Sequence, residues 1–398
     1  EIQGGVYNPV IPNSWKAVRM TPTTSHPAPA IAVANSETAP NLVPKKVSER
    51  LVSLDAYRGF IMLLLVSNGF GLAVLENYPG WQWLAFQVEH VAWEGCSFWD
   101  LIQPAFTFMV GVAMPFAVAR RVSLGDTPSQ IFRHVLWRAF MLIVLSNIFS
   151  NWGKEGALRI QFINVLSQIA FGYVLCYLIT RLKFVQQVVV AALIAVGYTL
   201  LYIAFPGPSG PWSQTGNIGA VVDMAVIGYN YSGYYTTINF IGNALTILFG
   251  CWVGALLIRP GAHSKRLQVL AVAALAAFAV GLALEPFIPM VKRLWTLSFA
   301  FFSAGWVILM LMAFYWVIEV KQSKRWAFPF LVLGMNSIFI YSLTQLGLSG
   351  WLNRGLTAFT GKFSLLGDLG VIPHQVLVLT CLWYVCYWLY QRKIFFKI

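Results

Sequence analysis

Apolar residues in this chain gather into runs of about 18 to 25, parted by short polar or Gly/Pro-rich connections. A helix of that length crosses the ~30 Å hydrocarbon core of a bilayer. The pattern predicts spans near 54–75, 97–119, 134–151, 161–180, 184–205, 237–258, 267–285, 294–319, 326–346 and 370–391. The expected fold class is therefore all-α, a multi-pass transmembrane helical bundle of about ten spans. Residues 1–49 lack helical periodicity and are rich in Pro, Ala, Thr, Ser and Asn. They predict a flexible cytoplasmic tail ahead of a membrane domain over 50–398. The tail has no apolar core of signal-peptide length, so the first span is expected to act as the targeting signal too.

Composition agrees with that division. Hydrophobic residues make up 58% of the chain and charged residues 10%, too little polar surface for a soluble protein of this length. The formal charge of +13 does not point to nucleic acid, because the Lys and Arg are scattered among connections. They are instead biased to one side. With the tail inside, the inner set runs from Lys45, Lys46, Arg50 and Arg58 through Arg120, Arg121, Arg133 and Arg138 to Arg392, Lys393 and Lys397. The outer set is Lys154, Arg159, Lys292, Arg293, Arg354 and Lys362, a bias of roughly three to one. Both termini are expected in the cytoplasm, with His90 on the opposite face of the cytoplasmic (inner) membrane. The five cysteines show no CxxC or Cys/His ligand spacing; they read as small buried hydrophobes, with no metal site.

Against this background the polar residues of the first two spans stand out, since strongly polar groups in hydrocarbon are costly and propose a functional site. Asp55 and Arg58 share a face of the first helical turn, where a cap and an ion pair explain them as simply as a ligand does. Ser53 or Asp55 is the expected N-cap. Alternatively, Arg58 and the inner rim including Arg138 receive a phosphate-bearing donor, since guanidinium forks suit phosphate. Ten residues of helix from Arg58 to Asn68 rise about 15 Å, close to the reach of a pantetheine arm. His90 lies at a membrane entrance between Glu89 and Glu94, and an imidazole there can take a proton from an amine or hydroxyl. Asp100 orients that ring if the segment between folds back. Asn68 supplies an amide donor for a developing oxyanion. Asp100, Gln103 and Thr107 form one polar stripe, with Pro104 bending the span and Gly111 permitting close packing. Further stripes at Gln161/Asn164/Gln168, Asn239/Asn243/Thr246 and Asn336/Ser337/Tyr341/Thr344/Gln345 serve either as interhelical glue or as walls of a shared polar cavity.

These residues resemble the heparan-α-glucosaminide N-acetyltransferase family of transmembrane acyltransferases and its bacterial relatives. The likeness is carried by Arg50-x-x-Ser53-Leu54-Asp55-x-x-Arg58-Gly59 and by His90-x-x-Trp93-x-Gly95 running on through Asp100-Leu101, Pro104, Phe106, Phe108 and Gly111. It continues in Lys292-x-Leu294-Trp295-Thr296-x-Ser298, in Gly334-Met335-Asn336-Ser337 and in the terminal Lys393–Ile398. The resemblance implies an acyl-CoA-dependent acetyltransferase with acetyl-CoA from the cytosol as co-substrate. A saccharide on the far side is the implied acceptor of the acetyl group. Residues and resemblance taken together put His90, Asn68 and Asp100 in the expected catalytic set, and Arg58, Ser53, Asp55, Arg138, Asn336 and Ser337 in the expected cofactor-binding set. Coenzyme A, the glycan and the lipid bilayer are the implied partners, and a homo-oligomer is compatible with them. The chain departs from the family pattern at Arg159-Ile160-Gln161-Phe162 and at Tyr235-Thr236-Thr237-Ile238. The rival reading is a secondary transporter or a glycan or lipid flippase. Its usual marks, internal repeats and paired broken spans, are not evident in the sequence.

Overall fold

A computed structural model describes residues 51–396, Ala157 and Lys362 excepted. The tail expected over 1–49, Arg50 and the terminal Lys397-Ile398 lie outside the described residues. Among the described residues every regular element is helical, and there is no strand, only an isolated bridge between Gly207 and Gly210. In order, the helices are α1 (Val52–Val66), α2 (Gln82–Gln87), α3 (Ile102–Ser123), α4 (Pro128–Asn151), α5 (Val165–Ile179), α6 (Phe184–Ala204) and α7 (Ile218–Val226). They continue as α8 (Asn239–Ile258), α9 (His263–Leu284), α10 (Leu297–Tyr315), α11 (Phe328–Met335), α12 (Ser337–Gln345), α13 (Leu348–Thr360) and α14 (Val371–Gln391).

Seven helical segments, those containing α3, α4, α6, α8, α9, α10 and α14, are long and apolar enough to cross a bilayer. Two more crossings arise if bent pairs count as one span each: α1 with Asn68–Asn77, bent by 52°, and α11 with α12, bent by 61°. The α5 segment is a shorter apolar helix. This is an integral membrane protein.

Both bends were expected as continuous helix, and each has a local cause. After Val66 the backbone turns left-handed at Asn68, Gly69, Phe70 and Gly71. Glycine and asparagine tolerate that region, whereas Phe70 enters it against a Cβ penalty of roughly 1–2 kcal/mol. The second break falls on Asn336, whose φ of −123° and ψ of 34° lie outside the helix. Its amide is spent on the chain end, with Nδ2 donating to Ile394 O and Oδ1 accepting from Phe396 N, each at 3.1 Å.

Close helix crossings are built on glycine, as expected for packing in lipid, where small residues let backbones approach. A Cβ on Gly111 would lie 1.9 Å from the Ile247 carbonyl of α8, and one on Gly250 would lie 2.1 Å from the Phe108 carbonyl of α3. The α1–α11 crossing works the same way through Gly59 and Gly334. Other expectations shift. Pro104 does not bend its span: it sits in the first turn of α3, where no intrahelical donor is lost. Neither Ser53 nor Asp55 caps α1; the cap residue is Leu51, and the Ser53 N–H instead donates to the Glu319 carboxylate at 2.9 Å. Helix α5 begins only at Val165, capped by Asn164, so Gln161 lies ahead of the stripe it was expected to join.

Candidate active site

The loop from Val88 to Phe98 folds back on itself, and hydrogen bonds set its course. Gln87 Oε1 accepts from the Phe98 N–H at 2.8 Å, while Gly95 N donates to Met290 O at 2.8 Å, tying the loop to the α9–α10 connection. That connection is a tight turn. Thr296 Oγ1 accepts from Val291 N at 2.9 Å, and Trp295, left-handed at φ 53° and almost fully buried, donates from Nε1 to Thr246 of α8 at 3.1 Å. Together the two loops bring His90, Asp100 and Lys292 to one place.

His90 Nδ1 lies 2.8 Å from Asp100 Oδ1, and Lys292 Nζ lies 3.1 Å from both that oxygen and Nδ1. The second carboxylate oxygen accepts from the N–H groups of Val91 and Ser97, each at 3.2 Å. The Ser97 hydroxyl sits 3.0 Å from the same oxygen and also faces the Glu89 carbonyl, with one proton to share between them. Asp100 and Lys292 are buried, their side chains 1% and 6% exposed, whereas the His90 ring is 51% exposed. A carboxylate oxygen and an unprotonated ring nitrogen repel at 2.8 Å, so Nδ1 carries the proton of neutral His90. The lone pair is then on Nε2, and the lysine proton goes to Asp100 rather than to the ring. A half-exposed imidazole with its back fixed and its far nitrogen basic has the form of a general base.

His90 opens into a cavity of about 580 Å³. Asn68, at the left-handed turn after α1, lines the same cavity, as do Gln103, Tyr235, Lys292, Gln345, Asn353 and Gln375. Backbone in a sparsely populated region at such a place points toward function. Behind the wall a polar belt closes the circuit. Gln103 Nε2 donates to Gln168 Oε1, Gln168 Nε2 donates to Asn239 Oδ1 at 2.7 Å, and Asn239 Nδ2 donates to Arg293 O at 3.1 Å, beside Lys292. The stripes expected from the sequence thus serve both readings at once: Gln103, Tyr341, Thr344 and Gln345 face the cavity, while Gln168 and Asn239 bond one another between helices.

The residues expected to bind the donor lie apart from this cluster. Ser53, Asp55 and Arg58 sit at the opposite end of α1, where Arg58 pairs with Asp55 at 3.4 Å. The guanidinium of Arg138 lies over the Tyr173 ring on α5, 5.1 Å from its centroid. Asn336 is buried and holds the chain end, and Ser337 opens α12. None of the six lines the cavity around His90. Lys292 is the residue that reading by composition overlooked, since it was counted among the outer charges. Its signal was available in the Lys-x-Leu-Trp-Thr motif, whose Trp and Thr are the residues that pin the turn. Cys96, close by, is no competing nucleophile: burial pushes its thiol up to about 12. No group of three or more His, Cys, Asp or Glu side chains suited to a metal occurs among the described residues.

Fold and cluster together define a class: a polytopic helical membrane protein with a carboxylate-held imidazole at the mouth of a polar cavity. The similar proteins are more particular. Over 420 aligned positions the chain is 25% identical to heparan-alpha-glucosaminide N-acetyltransferase of Homo sapiens, covering 88% of this chain and 60% of that protein. It is 22% identical to the Mus musculus protein of the same name, covering 88% of this chain and 61% of the relative. The chain therefore spans about three fifths of the length of the curated relatives it matches. No protein-family model matches it. The resemblance expected from the motifs is borne out at the level of the family; both relatives are mammalian, and a bacterial origin draws no support from them.

Proposed function

We propose that the protein is a membrane-embedded acetyltransferase that moves an acetyl group from acetyl-CoA to an amine or hydroxyl of a sugar. The observation that carries this reading is the His90–Asp100–Lys292 cluster, whose half-exposed imidazole, held at Nδ1, lines a cavity that Asn68 shares. The relatives, both glucosaminide N-acetyltransferases by name, point to a sugar amine as the acceptor class.

In this reading the chain crosses the bilayer ten times, the two bent pairs and the α5 segment each counting as one crossing. Both termini lie in the cytoplasm, following the excess of Lys and Arg on that side. The donor enters from the cytoplasm, where Arg58 and the inner-rim bases, Arg138 among them, meet its phosphates. The sugar enters from the opposite side, through the cavity at His90. Ser53, Asp55, Asn336 and Ser337 shape the donor passage near the start of α1 rather than touching the reacting atoms.

At the site His90 Nε2 removes a proton from the attacking amine as its nitrogen adds to the thioester carbonyl. The Asn68 amide donates to the resulting oxyanion. Collapse breaks the C–S bond, and the proton on Nε2 passes to the departing sulfur, giving free CoA thiol and the N-acetyl sugar. Asp100 holds Nδ1–H and offsets the charge of the transient imidazolium. Lys292 neutralises Asp100 in its dry surroundings, so that the carboxylate stays ionised without an excess negative charge at the mouth. An acetyl-imidazole on Nε2 is the alternative course for the same geometry.

The test is acetyl-CoA turnover by the purified protein with glucosamine as acceptor. Activity lost in His90→Ala supports the assignment; a His90→Ala protein with full activity refutes it. Labelled acetyl-CoA added without acceptor separates the two courses, since only the covalent one leaves label on the protein.

A further inference from the structure

A second hollow, of about 410 Å³, opens beside the first and is built from the same pair of loops. Where His90 and Lys292 line the main cavity, Trp93, Glu94 and Pro289 line this one. Three residues of chain separate His90 from Trp93, at most about 11 Å even if fully extended. The far wall is the turn carrying Trp212, Ser213, Gln214 and Thr215, all from the connection between α6 and α7. It is fastened to the His90 loop by Trp93 Nε1, which donates to Trp212 O at 2.9 Å, and anchored in the bundle by Trp212 stacking on the buried Tyr202 ring at 5.6 Å. The hollow is thus braced against both the catalytic loop and the helices.

Its chemistry is specific. Trp93 and Trp212 line it together with Glu94, Ser213, Gln214 and Thr215, the mixture of aromatic and hydrogen-bonding residues that meets a sugar ring with its C–H face and its hydroxyl rim. The lining carries the Glu94 carboxylate and neither Lys nor Arg. Arg293 stands outside the lining, over the Trp93 ring at 5.9 Å and bonded to the Ala92 carbonyl. The one formal charge in the lining is therefore that of Glu94, which disfavours a sulfated, phosphorylated or uronic unit relative to an uncharged or amine-bearing one. A volume within the usual range of small-molecule sites accommodates one such ring.

We propose that this hollow is a flanking subsite for an uncharged or amine-bearing sugar linked to the one whose amine reacts at His90. The proposal rests on the transferase reading and narrows it, making the acceptor an oligosaccharide of low negative charge. It is tested with the full chain in detergent or nanodiscs, using glucosamine, its β-1,4-linked disaccharide and the O-sulfated disaccharide. Both acetylation and, without CoA, binding by isothermal titration are measured. The expected result is a kcat/KM about tenfold higher for the plain disaccharide than for glucosamine, with no gain for the sulfated one. Glu94 is an exposed loop residue, so Glu94→Lys is expected to fold and to reverse the preference between the two disaccharides. Equal kcat/KM for glucosamine and the plain disaccharide, or an unaltered preference in Glu94→Lys, overturns the subsite and leaves the transferase reading standing. Preferential disaccharide binding with no acetylation of any acceptor overturns the transferase reading and keeps the hollow as a glycan site.

Discussion

Replacing Asp100 with Asn is the most informative single perturbation of the cluster, because its two effects separate in a double variant. The side chain keeps its shape but loses its charge, leaving the Lys292 ammonium, 6% exposed, beside no anion. Breaking a buried ion pair from one side costs about 3–5 kcal/mol. Asn also has to satisfy the N–H groups of Val91 and Ser97 with its single oxygen, which turns its NH₂ toward His90 Nδ1. The imidazole then accepts at Nδ1 and carries its proton on Nε2, where the base is needed. Losing a charge-assisted hydrogen bond of about 1.5–3 kcal/mol alone slows the reaction roughly 10- to 150-fold, and the reversed tautomer adds to that. Asp100→Asn is therefore expected to lower kcat by at least about a hundredfold, with a clear drop in thermal midpoint in detergent. Adding Lys292→Met removes the stranded charge, so the double variant regains most of the lost stability and none of the activity. The assays are thermal unfolding followed by tryptophan emission and acetyl-CoA turnover on the same preparations. A double variant no more stable than Asp100→Asn, or an Asp100→Asn protein within about threefold of wild-type turnover, refutes the reasoning.

Other outcomes follow from single contacts. Asn68→Gly keeps the left-handed turn at φ 49° and removes only the amide, so it is expected to fold normally in a thermal scan and to lose about 10²–10³ in kcat. Gly334→Ala drives a Cβ to 2.1 Å from the Asp55 carbonyl of α1 and is expected to destabilise by about 1–3 kcal/mol or more. Gly197→Ala, with nothing within 4 Å, is the neutral control in the same melt. Thiol blockers at neutral pH are expected to leave turnover intact and Cys96 unlabelled by mass spectrometry, because burial keeps that thiol protonated. On α7, burial lifts the Asp223 carboxyl above its ordinary value, although hydrogen bonding to Thr237 pulls the other way. The folded chain then holds this proton more tightly than the unfolded one, so its share of stability falls as pH rises from the ordinary carboxylate range through the raised value. Asp223→Asn is expected to flatten that slope in melts taken across the acid range.

Much of the bundle was legible because a crossing helix leaves a long apolar run that nothing in a water-soluble loop imitates. The breaks were less so. Asn68-Gly69-Phe70-Gly71 reads as an ordinary interruption of a hydrophobic run until its four left-handed residues are seen, and Asn336 gives no sign in sequence that it clasps the chain end about sixty residues later. The partnership of His90 with Asp100 was foreseeable from ten residues' separation and a loop able to turn back. Lys292 was not, since it lies about two hundred residues away and charge counting treats every lysine as solvated. What marks it is its neighbourhood: Trp295 and Thr296 fix a turn that has no other evident reason to be so rigid. The polar stripes were legible only as a pair of alternatives, for periodicity tells which residues share a face but not whether that face meets a cavity or another amide.

In the function proposed above, donor and acceptor meet at His90 from opposite sides of the membrane. That meeting is tested most directly in sealed proteoliposomes with glucosamine trapped inside and labelled acetyl-CoA added only outside. Molecules inserted with their cytoplasmic face outward are expected to accumulate labelled N-acetylglucosamine in the lumen, and His90→Ala molecules none. Product formed only when both reactants share one compartment, or formed equally by His90→Ala, contradicts the account.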